Sequence, residues 1–155
     1  MTPTITKDRA EQIIEVYRVR LSEDLQQKVA EWRASGNETR VSSNIRRRAF
    51  EWLDCALLEA RALRDFERAR RSLTEAMSMS LLILELEREG LQYESRDLEA
   101  GLYSAMILGS MRDAEKLAHA ALRRPRVLGV AALYAGFSRL AASFVLDDPS
   151  VFEFE

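Results

Sequence analysis

The sequence is poor in the residue types from which metal centres and disulfide frameworks are built. It contains one cysteine, Cys55, and one histidine, His119, among 155 residues. A single cysteine excludes an intramolecular disulfide framework and a metal site of several thiolates. It is also what a reducing cytosol favours. We therefore expect no metal, no cofactor and a cytoplasmic protein.

Turn-forming residues and long apolar runs are also scarce. Six glycines and three prolines are too few for the many turns of a β-sandwich. The apolar run over residues 76–86 is about half the length of a membrane span and includes Glu85. The N-terminal residues are polar and lack the apolar segment of a secretory signal. These absences predict a chain without a transmembrane helix or an export signal.

The residues that are abundant favour helices and a solvated surface. Ala, Leu, Arg and Glu predominate, and all four are good helix formers. Apolar residues make up 47% of the chain and charged residues 31%, with a formal net charge of -2. Such a charge gives the whole protein no positive field for nucleic acid. We expect a single all-α domain over residues 1–155 that binds neither nucleic acid nor membrane.

Apolar residues recur at steps of three and four, which predicts about six helices in antiparallel hairpins. The first helix begins after Thr6 and ends at Gly36. The others are predicted over residues 45–63, 66–89, 96–108, 111–122 and 127–146. The last is rich in Ala and Gly, so it either packs closely on several sides or faces a partner. Residues 147–155 form an acidic and aromatic C-terminal tail. The predicted core consists of Ile14, Tyr17, Leu21, Leu53, Leu57, Leu73, Met77, Leu81, Leu84, Leu102, Met106, Leu117 and Leu133.

Two stretches of the sequence match at an offset of 45 residues. Residues 63–69 can be laid over residues 108–114, and each copy reads as a helix, a tight polar turn and a second helix. This pattern is typical of helical-hairpin repeats, in which each unit buries its apolar face by stacking on a neighbour. A helical bundle and a short tetratricopeptide-like superhelix both remain open.

No catalytic motif accompanies these helices. The sequence has no nucleophile elbow, P-loop or zinc-protease motif. His119 has only Glu115 as an acidic neighbour one turn away, which favours a surface histidine over a general base. Cys55 lies near an apolar stripe and is interpreted as a small buried hydrophobe. We expect a protein that is not an enzyme.

The charged residues form two local clusters. Arginines are frequent between Arg46 and Arg71, and either nucleic acid or neighbouring glutamates could neutralise them; interleaved opposite charges favour the glutamates. Carboxylates gather near the turn between the third and fourth predicted helices, as solvated surface or as a docking site for a basic partner. This acidic cluster consists of Glu85, Glu87, Glu89, Glu94, Asp97 and Glu99.

Three aromatic residues are hard to assign to the core: Tyr93, Phe152 and Phe154. They either anchor an interface, as exposed aromatics beside carboxylates often do, or fold back onto the helices. The residues predicted to contact a protein partner are Tyr93, Glu94, Asp97, Asp147, Asp148, Phe152 and Phe154.

The segment Leu98-Glu99-Ala100-Gly101-Leu102-Tyr103-Ser104-Ala105-Met106-Ile107-Leu108-Gly109-Ser110, continued by Ala114-Glu115-Lys116-Leu117-Ala118, resembles the tetratricopeptide-like helical immunity proteins of bacterial toxin systems. The resemblance covers about a third of the chain and implies a protein that binds a cognate toxin and blocks it. It transfers no binding residue, and the Trp, Gly and Pro signature of the tetratricopeptide repeat is largely missing here. The leading hypothesis is therefore a protein-binding module that neutralises a toxin. The alternative is a regulatory or structural homo-oligomer, such as a homodimer, with residues 127–146 as its packing face.

Overall fold

The computed structural model describes residues 5–36 and 38–123, and within them every regular element is a helix. The predicted all-α fold class is confirmed. The elements are α1 (Lys7–Leu21), α2 (Leu25–Ser35), α3 (Glu38–Arg61), α4 (Phe66–Glu87), a 3-10 helix (Ser95–Leu98), α5 (Glu99–Leu108) and α6 (Met111–Leu122). The sixth predicted helix, over residues 127–146, and the predicted tail lie outside the described residues.

The N-terminal part of the chain forms two helices where the sequence predicts one. The predicted ends are confirmed. The Thr6 hydroxyl accepts a hydrogen bond from the Arg9 amide at 3.2 Å, and α2 ends at Gly36 with a φ of 74°. Between them the chain leaves the helical conformation at residues 22–24. The prediction of one continuous helix is therefore wrong.

The break between α1 and α2 is held by an arginine that is distant in sequence. The buried guanidinium of Arg48, on α3, donates to the backbone carbonyl oxygens of Leu21 and Glu23 at 3.4 and 2.8 Å. The Asp24 carboxylate then caps α2 by accepting from the Gln26 amide at 2.9 Å. Apolar spacing along one helix carries no information about such a contact, because its donor lies on another helix.

The two hairpins of the predicted 45-residue repeat have corresponding turns. The α3–α4 turn places Arg64 in the left-handed region with a φ of 56°, and the α5–α6 turn places Gly109 there with a φ of 74°. Five residues after each turn position, Ala69 and Ala114 are buried at 0% and 1% exposure. The repeat therefore corresponds to two helical hairpins with similar turns. Only the second turn has a glycine at this position, the residue that adopts the left-handed conformation without strain.

Helix α5 is buried along nearly its whole length. All eight positions from Ala100 to Ile107 are buried, and the helix contacts α3, α4 and α6. The closest approach is at Gly101, where an added Cβ would lie 2.1 Å from the Ser80 hydroxyl oxygen. The backbones of α4 and α5 can therefore come together only because position 101 has no side chain.

The predicted core is largely buried. Of the residues named for it, Ile14, Leu53, Leu73, Leu84, Leu102, Met106 and Leu117 are buried. The partly exposed members are Tyr17, Leu21, Leu57, Met77 and Leu81. Leu133 lies outside the described residues. The half-exposed members lie at the margins of the helix faces, so the spacing identifies the right faces but overestimates their width.

Candidate functional site

A shallow groove of about 300 Å³ lies between α3 and α5. Along each helix, consecutive residues of the groove are one or three positions apart, which places them on one face. They are Phe50, Leu53, Asp54 and Leu57 from α3, and Glu99, Ala100 and Tyr103 from α5. We refer to this surface as the α3–α5 groove.

The floor of the α3–α5 groove is apolar, and one large aromatic side chain is exposed beside it. Leu53, Ala100 and Tyr103 are buried, at 8%, 2% and 7% exposure. Phe50 remains 38% exposed. An exposed aromatic ring next to a buried apolar floor is the arrangement found at the centres of protein interfaces.

Two carboxylates line the α3–α5 groove, Asp54 and Glu99. The Asp54 carboxylate accepts a hydrogen bond from the Tyr17 hydroxyl at 3.0 Å. Burial raises the pKa of Asp54, although the Tyr17 hydrogen bond acts in the opposite direction, and burial alone raises the pKa of Glu99. Neither carboxylate forms an ion pair with any residue in the ranges 5–36 and 38–123. Both therefore lose part of their hydration without gaining a cation.

The loop that the sequence predicts as a partner contact is instead used by the fold. Tyr93 is 7% exposed and Asp97 is 4% exposed. The Asp97 carboxylate accepts from the Glu94 amide at 2.9 Å and from the Arg46 guanidinium at 3.2 Å. The interpretation of Tyr93 as an exposed anchor is wrong, because the ring folds back into the hydrophobic core. Asp97 is likewise a buried capping and pairing residue and not a surface charge.

Glu94 is the one residue of the predicted loop contact that reaches the surface. Its side chain is 55% exposed and lies 2.8 Å from Arg96. The predicted contacts in the tail, Asp147, Asp148, Phe152 and Phe154, lie outside the described residues. A partner contact at any of these positions stays a prediction.

Most of the acidic cluster is neutralised within the protein. Glu89 forms two hydrogen bonds with Arg33, at 2.8 and 2.9 Å, and these bonds lower the pKa of Glu89. Glu87 lies 3.9 Å from Arg123. Four of the six carboxylates of the acidic cluster therefore have an arginine partner among the described residues. Docking of a basic partner on this cluster stays a prediction.

The arginine-rich middle of the chain is paired in the same way. Arg47 lies 3.0 Å from Glu51, one turn further along α3. Arg68 joins helices, since its guanidinium lies 3.0 Å from the buried Glu59 and 2.8 Å from Glu11 on α1. The predicted pairing of these arginines with glutamates is observed, partly within helices and partly between them.

A second and wider groove, of about 940 Å³, lies between α2 and α3. Its lining is mostly polar and includes Lys28, Glu31, Arg46 and Arg47, of which the two arginines are paired as described above. Trp32 at its base is buried, and its indole N–H makes no hydrogen bond among the described residues. A larger share of its lining is polar than in the α3–α5 groove, and its aromatic lining residue, Trp32, is buried. It therefore fits a protein partner less well than the α3–α5 groove, where an aromatic side chain is exposed.

The two residues with potential reactivity are poorly placed for catalysis. Burial raises the pKa of the Cys55 thiol to about 12, which keeps it protonated and unreactive at neutral pH. His119 is exposed and lies 3.6 Å from Glu115 on the same face of α6. Neither is brought together with a second catalytic group by a contact of the described residues.

Sequence reasoning missed most of the α3–α5 groove. Neither Phe50 nor Tyr103 is among the predicted core residues. Their exposure and burial depend on where α5 crosses α3. One signal in the sequence could have identified the groove. Phe50 and Leu57 lie two turns apart on α3 with Asp54 between them, and this mixture of apolar and charged residues on one face is typical of a half-exposed helix.

Neither a metal-binding cluster nor a membrane-spanning helix is found among the described residues, and no match to a known protein was found for the chain. In the described ranges, no group of three or more His, Cys, Asp or Glu side chains could hold a metal ion. None of the described helices is both long and apolar enough to cross a bilayer. No family model, curated protein or solved structure matches this chain.

Proposed function

We propose that this protein is a non-enzymatic protein-binding module, and that it binds a cognate toxin and blocks it. The observation that carries the binding proposal is the α3–α5 groove, where the exposed Phe50 lies beside an apolar floor and two carboxylates without ion pairs in the described part. The toxin as partner is supported by the resemblance of residues 98–118 to helical immunity proteins.

The packing of α5 supports a rigid binding surface. The helix that forms one wall of the groove is buried at every position from Ala100 to Ile107. A wall fixed by a buried helix loses little conformational freedom on binding, so more of the contact energy appears as affinity. This arrangement suits a protein whose role is to hold a partner.

The proposal can be tested by capturing the partner and then measuring its binding to groove variants. The purified chain serves as bait in cytosol from its source, and the captured protein is expressed on its own. We expect Phe50→Ser to weaken binding at least tenfold, about 1.4 kcal/mol. Met111→Ser is the matched control, because it also removes a large exposed apolar side chain, 59% exposed, from another helix.

Co-expression then separates toxin neutralisation from binding. The captured protein alone should arrest growth, the wild-type chain should restore growth, and Phe50→Ser should not. If the captured protein binds through the groove but does not arrest growth, the proposal that the partner is a toxin is contradicted. The proposal that the chain is a protein-binding module then still stands. Equal binding by wild-type and Phe50→Ser chains would contradict the groove as the contact.

A regulatory or structural homo-oligomer is the second candidate. It is favoured by two exposed aliphatic residues on α1, Val16 at 56% and Val19 at 64% exposure. In sedimentation equilibrium, a dimer that the double change of Val16 and Val19 to Ser converts to a monomer would support it. A monomeric wild-type chain at cellular concentrations would exclude it.

A further inference from the structure

We propose that the α3–α5 groove takes a segment of a protein partner in which an apolar side chain lies beside a lysine or arginine. The apolar group packs against Phe50 and Leu57, and the cation lies near Asp54 and Glu99. This inference rests on the proposed binding function and adds the chemistry of the partner's contact segment.

The charge of the groove gives the first argument. Asp97, Glu89 and Glu59 each lie within 3.2 Å of an arginine nitrogen. Asp54 and Glu99 are different, because the hydrogen bond from the Tyr17 hydroxyl is the only polar contact they have among the described residues. A cation from a partner would supply the missing charge where the apolar surroundings strengthen the attraction.

The apolar part of the groove gives the second argument. Phe50 is 38% exposed, and Leu57 is partly exposed at the other end of the same face. The space of about 300 Å³ is at the lower limit of small-molecule pockets, roughly 300–1,000 Å³. It matches one or two side chains better than a cofactor.

The same charges disfavour other occupants. Residues 147–155 of this chain contain four carboxylates and no lysine or arginine, so they would be repelled. A second copy that packs groove against groove about a two-fold axis would bring the carboxylates of the two grooves together, which is also repulsive. Phosphate groups of nucleic acid are excluded by the same argument.

Two short synthetic peptides with blocked ends provide the probe. One alternates leucine with lysine, and the other alternates leucine with glutamate. Each is titrated into the ¹⁵N-labelled full chain while amide chemical shifts are followed. We expect the lysine peptide to shift the amides of Phe50, Leu57 and Tyr103 and to bind at least tenfold more tightly than the glutamate peptide.

Charge variants of the chain complete the test. The double variant Asp54→Asn/Glu99→Gln keeps the shape of both side chains and should weaken the lysine peptide about fivefold. Glu15→Gln is the matched control, because Glu15 is exposed on α1 and does not line the α3–α5 groove; it should leave binding within twofold. Far-UV circular dichroism verifies that each variant is folded.

Several results would overturn this inference. Equal binding of the two peptides, shifts confined to other surfaces, or equal weakening by Glu15→Gln would each do so. If the double variant binds the captured partner as tightly as wild type while Phe50→Ser does not, the partner chemistry is wrong and the proposed function stands. Conversion of a dimer to a monomer by Phe50→Ser would assign the groove to a second copy instead.

Discussion

Two carboxylates lie two residues apart in the sequence and differ in what surrounds them. Asp97 is 4% exposed and accepts from Arg46 and from the backbone amide of Glu94. Glu99 has no ion pair among the described residues, and burial raises its pKa. The fold uses the charge of Asp97, whereas the charge of Glu99 costs stability. Charges of the second kind are candidates for function, because the folded chain has no use for them.

The largest expected effect concerns α5, the helix that carries Glu99 and forms one wall of the α3–α5 groove. Gly101→Ala places a Cβ 2.1 Å from the Ser80 hydroxyl oxygen, so it should lower the free energy of unfolding by about 3 kcal/mol. Urea denaturation measures this change. A loss below about 0.5 kcal/mol would mean that α4 and α5 separate easily and that the groove wall is not rigid.

A second substitution at position 80 sharpens this test. In the Gly101→Ala background, Ser80→Gly should recover part of the lost stability, because it removes both Ser80 atoms that the new Cβ would meet, Oγ at 2.1 Å and Cβ at 2.2 Å. Ser80→Ala keeps its Cβ and should recover less. If Ser80→Ala recovers more stability than Ser80→Gly, the clash of the new Cβ is not with the Ser80 side chain.

A smaller loss of stability is expected when the buried carboxylate of the loop, Asp97, is removed. Asp97→Asn keeps the shape of the side chain but removes the charge that Arg46 contacts at 3.2 Å, so it should lower the free energy of unfolding by about 1–3 kcal/mol. Glu94→Gln is the control, because glutamine keeps a side-chain oxygen for the capping box with the Asp97 amide and loses only the charge of the pair with Arg96. That pair is more than half exposed on both sides and should contribute less than about 0.5 kcal/mol. If the two variants lose similar amounts of unfolding free energy, the buried carboxylate of the loop does not stabilise the fold more than the exposed one does.

The smallest effect concerns Glu99. Because burial raises its pKa, the folded state binds this proton more tightly than the unfolded chain, and wild-type stability rises as the pH falls through that pKa. Glu99→Gln should therefore be as stable as wild type at neutral pH, or more stable by a few tenths of a kcal/mol. Thermal unfolding at several pH values measures both chains. A variant that is clearly less stable at neutral pH would show that the fold does use this charge.

Among the described residues, the sequence predicted α3 to α6 and most of the core, because both depend on local spacing, although α3 begins at Glu38 and not near residue 45. The caps at Thr6 and Gly36 and the turn at Gly109 are local features, and each lies where the spacing places it. The break between α1 and α2 was not predictable in this way, since it depends on Arg48 reaching from α3.

The candidate site was less predictable than the fold. The hypothesis that carboxylates and an aromatic residue together contact a partner named Tyr93, Glu94 and Asp97. The structure brings such a combination together at Phe50, Asp54 and Glu99. Composition and spacing identify which residues are charged or aromatic. Whether a carboxylate meets an arginine depends on how α3, α5 and the 3-10 helix cross, which one-dimensional spacing does not contain.

One measurement tests the central claim most directly: the affinity of the captured partner for Phe50→Ser and for Glu94→Gln, each compared with wild type by isothermal titration calorimetry. Both residues are exposed, one in the α3–α5 groove and one in the loop. If the groove is the contact, Phe50→Ser loses at least tenfold in affinity, about 1.4 kcal/mol, and Glu94→Gln stays within twofold. A tenfold loss for Glu94→Gln with unchanged binding of Phe50→Ser would contradict the account and return the contact to the loop.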